Sequence, residues 1–321
     1  MEKTKVLATA EEVLSALRGK APVHSAYKAF YNSRLNAVVT DQVLMQVPID
    51  DHMIHRSHAL TGSVLIVRKK AFLLQTQLLR MQELAEKARI ELPMTCADIG
   101  MRIKQVAACT GLSHCKVNYW LSSGPGNMAI WPEPHCSVLY VLAISTNDPI
   151  SDLQNCTFQH DVTVQVPVKA EELAMVKWLN PLVDAMTCAE ARAKGGVCGV
   201  EVDVEGRVVG CARGNVALLL SGNRFVTPLY DKLLTKSLIT RVFEHAQALH
   251  HLGLLSSVEE RTVSLAEAQT ALEVIECHET ALTPLASWDA HTLAPTYLWP
   301  LLASRLLQDW ESEDTHLVES I

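Results

Sequence analysis

Apolar residues recur at helical and strand spacings through the first 145 residues. Leucines at i, i+3 and i+4 predict a helix over 72–89, and a second amphipathic run predicts one over 95–109, with Gly111 as its C-cap. A shorter run that ends at a glycine predicts a helix over 10–19. Compact apolar runs predict strands at 62–67, 116–122 and 137–145, and two short strands with a turn over 37–47.

After residue 145, apolar residues again recur at both helical and strand spacings. Residues 161–168 alternate strictly between apolar and polar, which predicts a half-buried strand. A hairpin is predicted from 199–204 and 207–211, and further strands from 216–220 and 224–227. Helices are predicted over 182–194, 239–252 and 265–272, and 273–277 is interpreted as leading into a loop.

A polar, turn-rich segment at 146–152 separates the two halves. It predicts an N-terminal domain over 1–146, a linker over 147–158 and a C-terminal domain over 159–321. A chain of 321 residues exceeds what one hydrophobic core usually organises. Strands and helices lack a regular βαβ rhythm, so the predicted fold class is α+β.

Composition narrows the classes of partner. With 49% hydrophobic residues, 20% charged residues and a net charge of −7, the chain is predicted to be globular, without a nucleic-acid or anionic-membrane surface. Nine cysteines without a C-x-x-C pair argue against a disulfide framework and a cysteine-rich zinc site. No run has the length of a signal or a membrane span. We therefore expect a cytoplasmic protein.

One lysine carries candidate chemistry. Lys177 lies between apolar neighbours, directly ahead of a helix of small residues that ends at Gly195-Gly196. Partial loss of hydration disfavours the ammonium form and leaves more neutral amine to attack an aldehyde, which makes Lys177 a candidate Schiff-base lysine. The alternative is a lysine at a strand end whose stem is buried and whose charge stays in water.

Two polar clusters are weaker candidates. Asp50, Asp51, His52, His55 and His58 are close in sequence, but nothing fixes their geometry, and no metal is predicted there. The loop 122–127, Ser-Ser-Gly-Pro-Gly-Asn, either brings backbone amides near a ligand or forms a plain tight turn.

Several motifs together resemble a known family. The chain resembles the D-amino-acid aminotransferase-like branch of the class IV aminotransferases, the fold-type IV pyridoxal-phosphate proteins that also include branched-chain aminotransferases and aminodeoxychorismate lyase. The resemblance extends from about residue 26 to 284. It rests on the segments 26–33, 47–58 and 119–126, on Lys177-Trp178-Leu179-Asn180, and on Leu238-Ile239-Thr240-Arg241.

The resemblance implies a function as well as a two-domain fold-type IV subunit. The expected activity is transfer of an amino group between an amino acid and a 2-oxo acid, with pyridoxal 5'-phosphate as cofactor and a homodimer closing the cleft. It implies Lys177 as the catalytic, cofactor-binding Schiff-base lysine and Asn180 as a second cofactor-binding residue. It further implies phosphate contacts from Arg56 and the backbone amides of Ile239 and Thr240, and a substrate pocket that includes Tyr31, Ser122, Ser123 and Gly124.

The departures from the family pattern leave other functions open. Gly210 stands where the family places a glutamate against the pyridine nitrogen, Leu238 replaces a glycine, and Glu276 and Glu279 lie where a phosphate loop is expected. These changes predict weak transamination, improved by Gly210→Glu. The alternatives are a catalytically weak or inactive homodimer that acts by binding, and a C–C lyase like aminodeoxychorismate lyase. The sequence does not indicate the amino donor.

Overall fold

The computed structural model describes residues 6–20, 24–126, 128–167, 181–229 and 237–321. Its helices are α1 Ala10–Lys20, α2 His52–His55, α3 Leu74–Ala88, α4 Cys96–Cys109, α5 Pro149–Gln154, α6 Leu182–Ala193, α7 Ser237–His251, α8 Leu265–Ala268 and α9 Leu298–Glu311. Its strands are β1 Tyr27–Asn32, β2 Ala37–Val39, β3 Ala59–Val67, β4 Lys70–Phe72, β5 Cys115–Ser122, β6 Val138–Ser145, β7 Gln159–Asp161, β8 Thr163–Gln165, β9 Val200–Val202, β10 Val208–Cys211, β11 Gly214–Leu220, β12 Arg224–Pro228, β13 Ser257–Arg261, β14 Glu273–His278, β15 Leu282–Trp288, β16 His291–Thr292 and β17 Val318–Ser320.

The first sheet has the strand order β17-β4-β3-β5-β6-β1-β2 and is antiparallel throughout. Helices α3 and α4 cover one face, and their apolar residues form one core with that face of the sheet. Helix α4 begins at Thr95, whose hydroxyl accepts a hydrogen bond from the amide of Asp98 at 3.1 Å. It then buries Ile99, Ile103 and Val106, one turn apart, against the sheet.

The second sheet follows the order β16-β15-β14-β11-β10-β9-β8, and β12, β13 and β7 attach beside this path. Strand β11 is buried on both faces. Ala217 and Leu219 pack toward α7 and α9, whereas Val216 and Leu218 belong to a separate apolar cluster on the opposite face. The sheet therefore divides the second half of the chain into two interiors.

A shared apolar layer connects the two sheets. Leu65 and Phe72 of the first sheet pack in the same cluster as Leu219 of the second and as residues of α7 and α9. Strand β17 also returns to the first sheet, where Val318 pairs with Phe72. The linker predicted over 147–158 and the two domains beside it stay predictions; residues of the predicted C-terminal domain also contribute β17 to the first sheet.

Strand β14 is the main error of the sequence prediction. Residues 273–277 were expected to lead into a loop, but they form a strand buried at every position. The pattern failed because Glu273, Glu276 and His278 are buried polar residues, which period-based analysis places on the surface. The carboxylate of Glu273 accepts hydrogen bonds from the amides of Leu298 and Trp299, each at 2.9 Å, and so holds the first turn of α9.

Other predicted elements differ in extent. The helix expected over 265–272 ends at Ala268, and the strand expected over 161–168 is divided between β7 and β8. Of the two strands expected over 37–47 only β2 forms, followed by a single 3-10 turn at Gln42–Leu44. The helices expected over 72–89, 95–109, 182–194 and 239–252 are confirmed as α3, α4, α6 and α7. No helix among the described residues is long and apolar enough to span a membrane.

Candidate functional site

The two predicted residues nearest the chemistry, Lys177 and Asn180, lie outside the described residues. Arg56 follows α2 and is exposed; its guanidinium donates to the carbonyl oxygens of His55 at 2.9 Å and Met128 at 2.8 Å. Within the described ranges, no hydrogen bond or ion pair joins Arg56 to Ile239 or Thr240. A phosphate contact by Arg56 therefore stays a prediction.

The first turn of α7 contains Ile239 and Thr240, the other two residues for which the sequence predicts a phosphate contact. Ile239 is fully buried and Thr240 half-buried in its first turn, so Ile239 anchors the helix in the layer between the sheets. The first four amides of a helix have no partner within the helix, and its dipole is positive at this end. Amides at such a position suit an anion, and the phosphate contact of Ile239 and Thr240 stays a prediction.

A second arginine, which the sequence analysis did not select, borders a buried cavity. Arg80 lies on α3, on the side of the helix that carries buried Gln77. Burial lowers the pKa of Arg80 below its usual value, against the opposing effects of Tyr119, Glu279 and Glu83. The cavity measures ≈ 10 Å³ and is lined by Leu60, Thr61, Gln77, Arg80, Met81, Leu84, Tyr119 and Glu279.

A sequence signal for Arg80 did exist. Gln77 and Arg80 interrupt the apolar stripe of α3, three residues apart, among Leu74, Leu78 and Met81. Polar groups in a core-facing stripe are uncommon unless they have a specific partner or function. Because α3 was interpreted only as an amphipathic helix, this interruption went unused.

The two acids expected at the phosphate loop take different positions. Cys277 packs in the same apolar cluster as Ile239 of α7, and because strand side chains alternate, Glu276 points to the opposite face. Glu279 lies in the turn after β14 and borders the Arg80 cavity. Only Glu279 therefore opposes an anion there.

Gly210 cannot carry the missing carboxylate. Its φ is +147°, and a Cβ atom would lie 2.7 Å from the carbonyl oxygen of Gly214. Its ladder partner is Glu201, which is buried and accepts a hydrogen bond from the Thr187 hydroxyl at 3.3 Å. Paired residues in an antiparallel ladder present side chains to the same face. The sheet thus has a carboxylate beside Gly210, and the expected gain from Gly210→Glu is not supported.

Ser122 belongs to a buried hydrogen-bond network. Its hydroxyl donates to Asp51, which also accepts from the Tyr140 hydroxyl at 2.6 Å and from the amide of Met53 at 2.8 Å. Burial and the bond to Asp51 raise the pKa of Tyr140 above its usual value, so this hydroxyl remains a donor. The network fixes the end of β5 against α2.

The neighbouring residues of this loop are also held by backbone contacts. The Ser123 hydroxyl donates to the carbonyl oxygen of His58 at 3.2 Å. Gly124 has a φ of +93°, and a Cβ there would meet the carbonyl oxygen of Cys136 at 1.6 Å. Nδ1 of His52 lies 2.9 Å from the carbonyl oxygen of Gly124. These contacts fix residues 122–124 of the loop against α2 and the chain near Cys136, while contact of the loop with a substrate stays a prediction.

Tyr31 is part of the first core. Its ring is buried, its hydroxyl donates to Oδ1 of Asn36 at 3.2 Å, and the Arg102 guanidinium of α4 lies 5.7 Å from the ring centroid. These contacts account for Tyr31 as a packing residue. Its proposed place in a substrate pocket stays a prediction.

Comparison with known proteins gives one family match. The model of the family described as "Amino-transferase class IV" matches residues 61–288. The chain is 29% identical over 292 residues to the D-amino-acid transaminase, chloroplastic, of Arabidopsis thaliana, covering 89% of this chain and 77% of that protein.

Solved structures share the fold. The branched-chain aminotransferase of the thermophilic archaeon Thermoproteus uzoniensis, solved with norvaline, matches with a TM-score of 0.78 at 15% identity, over 91% of this chain and 99% of that one. The 4-amino-4-deoxychorismate lyase of Pseudomonas aeruginosa matches with a TM-score of 0.66 at 23% identity, over 82% and 95%. The α+β fold-type IV architecture expected from the sequence is confirmed.

Substitution at Gly210 tests the strand geometry. We expect Gly210→Ala to lower the free energy of unfolding by roughly 1–3 kcal/mol, because of the clash with Gly214 and the unfavourable φ. Gly222→Ala is the control, since Gly222 also has a positive φ of +75° but has no atom within 4 Å of its Cβ position. Urea unfolding measures both; equal losses would contradict the close contact at Gly210.

Proposed function

This chain belongs to the amino-transferase class IV family, and from that premise we propose that it transfers an amino group between an amino acid and a 2-oxo acid, using pyridoxal 5'-phosphate. The observation that carries the proposal is the extent of the match, which runs from β3 of the first sheet to the end of β15 in the second. The Arabidopsis relative, named a transaminase, supports the same reaction.

The residues present fit the phosphate of this cofactor, with one opposing charge. A phosphate dianion requires forked or backbone N–H donors in a partly dehydrated place. We propose Arg80 and the first-turn amides of α7 for this role, with Arg56 as the sequence-based alternative. Ile239 and Cys277 belong to the same apolar cluster, and Cys277 is two residues before Glu279, which borders the Arg80 cavity; this supports a single phosphate site near the end of β14. Glu279 weakens the positive field without removing it.

The proposal assigns the remaining roles, those of Lys177, Asn180 and Glu201, from the chemistry of their side chains. When bound, the cofactor supplies a ring that withdraws electrons from the α-carbon of the amino acid. We propose that Lys177 binds the cofactor aldehyde and moves the proton at that α-carbon, and that Asn180 also contacts the cofactor. Glu201 is proposed to replace the carboxylate missing at Gly210 and to keep the ring nitrogen protonated.

The proposal also covers the substrates, the oligomeric state and the cellular location. The family chemistry requires an amino acid and a 2-oxo acid in turn, and the loop 122–124 is proposed to border the substrate. A homodimer in the cytoplasm is proposed from the family arrangement and from the sequence-based prediction of a reducing compartment. Nine cysteines that are all free thiols are compatible with that compartment.

A second candidate function is a catalytically weak family member that acts by binding. Glu279 beside Arg80 favours this candidate, because a carboxylate close to the phosphate would lower the affinity for the cofactor. The lyase alternative rests on shared fold alone.

The lysine assignment has a direct test. Purified protein saturated with the cofactor should show a visible absorption band, and borohydride should fix the cofactor to Lys177. Lys177→Ala should remove both the band and the transaminase activity with common amino acids. Lys194→Ala is the control, since Lys194 is exposed and pairs with Glu190 at 2.7 Å. Peptide mapping that finds the adduct on another lysine would overturn the assignment.

The two arginine candidates can be separated by cofactor affinity. We expect Arg80→Gln to weaken binding at least about tenfold, since charged hydrogen bonds contribute about 1.5–3 kcal/mol. Arg56→Gln should change it little, and Glu279→Gln should tighten binding several-fold because it removes the opposing charge. Equilibrium dialysis measures all three. A loss confined to Arg56→Gln would place the phosphate at Arg56, and tight binding unaffected by Glu279→Gln would remove the weak-binder candidate.

The role of Glu201 predicts an effect on turnover rather than on binding. Glu201→Gln keeps an oxygen for the Thr187 hydroxyl but loses the negative charge. We expect kcat to fall by about 10²-fold or more while cofactor affinity and KM change little. Glu205→Gln, in the exposed turn that follows β9, should leave kcat unchanged. If kcat survives in Glu201→Gln, the ring nitrogen has another partner.

A further inference from the structure

Four side chains of metal-binding types converge on the face of the second sheet opposite α7. Cys198, Cys211, Glu276 and His278 are all buried, and one ligand atom from each lies within 4.8 Å of those of the other three. Tetrahedral zinc has Zn–S distances of about 2.3 Å and Zn–N or Zn–O distances of about 2.0–2.2 Å. Small side-chain rotations would bring four atoms at this spacing onto one ion.

The strand registers bring these residues together. Glu276 and His278 are two residues apart on β14 and so share a face. Cys211 pairs with Gly214, and Gly214 pairs with His278, which places Cys211 and His278 on the same side of three neighbouring strands. The spacing in sequence gave no C-x-x-C signal, so the sequence analysis predicted no metal.

A buried aspartate positions the fourth ligand. The carboxylate of Asp161 accepts hydrogen bonds from the amides of Cys198 at 2.9 Å, Gly199 at 2.8 Å and Val197 at 3.3 Å. The loop before β9 is therefore fixed with Cys198 facing the cluster. Contacts of this kind, one step behind the ligands, orient metal sites and sustain their affinity.

Glu276 provides an independent indication of a cation. It is completely buried, and neither carboxylate oxygen makes a hydrogen bond of normal geometry among the described residues. Nε2 of His278 lies 3.5 Å from Oε2, too far for a good hydrogen bond, and the buried carboxyl group of Asp161 is close enough to raise the pKa of Glu276. Two buried acids this close are costly unless a proton or a cation lies between them, and metal coordination is one of the few arrangements that offset the cost.

Charge balance favours a divalent ion. Two thiolates and the carboxylates of Glu276 and the neighbouring Asp161 carry four negative charges, and the Arg213 guanidinium beside Cys198 and Glu276 carries one positive charge. With a neutral histidine, a divalent cation lowers the net charge of this group from −3 to −1. Without a cation, the two acids and the two thiols share one interior that is otherwise apolar.

We propose that Cys198, Cys211, Glu276 and His278 bind a structural Zn²⁺ ion. Thiolate and imidazole ligands select zinc over magnesium or calcium. Four protein ligands leave no open coordination position, so the ion would act on stability and not in the reaction. It would join the Gly210 strand to β14 through Cys211, independently of the cofactor.

The test is metal analysis of the full-length protein purified without chelator or added metal. We expect about one zinc per chain by mass spectrometry, and loss of most of it in Cys211→Ser and Glu276→Gln. Cys277→Ser is the matched control, because Cys277 lies between Glu276 and His278 on the same strand but on the opposite face. The Cys277→Ser variant should keep the zinc content of the wild type. A chelator should lower the Tm of the wild type and of Cys277→Ser, but not the Tm of Cys211→Ser or Glu276→Gln.

A cobalt-substituted sample gives a signature that a purely structural role of these side chains would not produce. Replacing zinc by Co²⁺ should give visible d–d bands and a thiolate charge-transfer band, both lost in Cys211→Ser. If that variant does not fold, His278→Asn with the same readout replaces it. The proposal is overturned by less than about 0.1 zinc per chain after incubation with Zn²⁺ alone. Equal zinc in the wild type and in Cys211→Ser, or a Cys198–Cys211 disulfide in protein purified without reductant, would also overturn it.

Discussion

The alternation of side chains along β14 is the constraint on which the second half of the molecule depends. Glu273, Ile275 and Cys277 face the layer that contains α7 and α9. There Glu273 holds the first turn of α9, and Ile275 and Cys277 pack in the same apolar cluster as Ile239. Glu276 and His278 face the other interior. A slip of one residue would exchange the two sets and place carboxylates against α7 while emptying the buried cluster. One strand thus fixes the position of α7 and of the buried cluster Cys198, Cys211, Glu276 and His278 together.

The elements predicted correctly from the sequence are those in which apolar residues recur at a regular spacing or form a compact run. Helices α3, α4, α6 and α7 each have an apolar face at helical spacing, and β3, β5 and β6 are compact apolar runs, so local pattern was sufficient. Strand β14 failed because its polar residues are buried through partners far away in the chain. Helix α9 was not predicted, because its first turn depends on Glu273, 25 residues before Leu298, rather than on a capping residue of its own.

The candidate site was accessible to sequence reasoning only where a motif carried it. Arg56, Ile239 and Thr240 came from flanking matches. Arg80 left a local signal, the polar interruption of the α3 stripe, but that signal does not show that the interruption borders a cavity with Glu279. The same limit applies to Glu201. A register shift lies between Val208 and Gly210, so the cross-strand neighbour of Gly210 could be known only from the pairing itself. Gly210 and Glu201 are cross-strand partners, and this pairing is the basis for proposing that the charge expected at Gly210 comes from the adjacent strand.

Strand β17 has a consequence for synthesis of the protein. It completes the first sheet by pairing with β4, although nearly the whole second sheet lies between them in the chain. During translation, the edge of β4 therefore stays open until residues 318–320 have left the ribosome. An open edge of this kind can pair with the strand of another chain. We expect the order of emergence, as much as final stability, to set how much newly made protein is lost to aggregation.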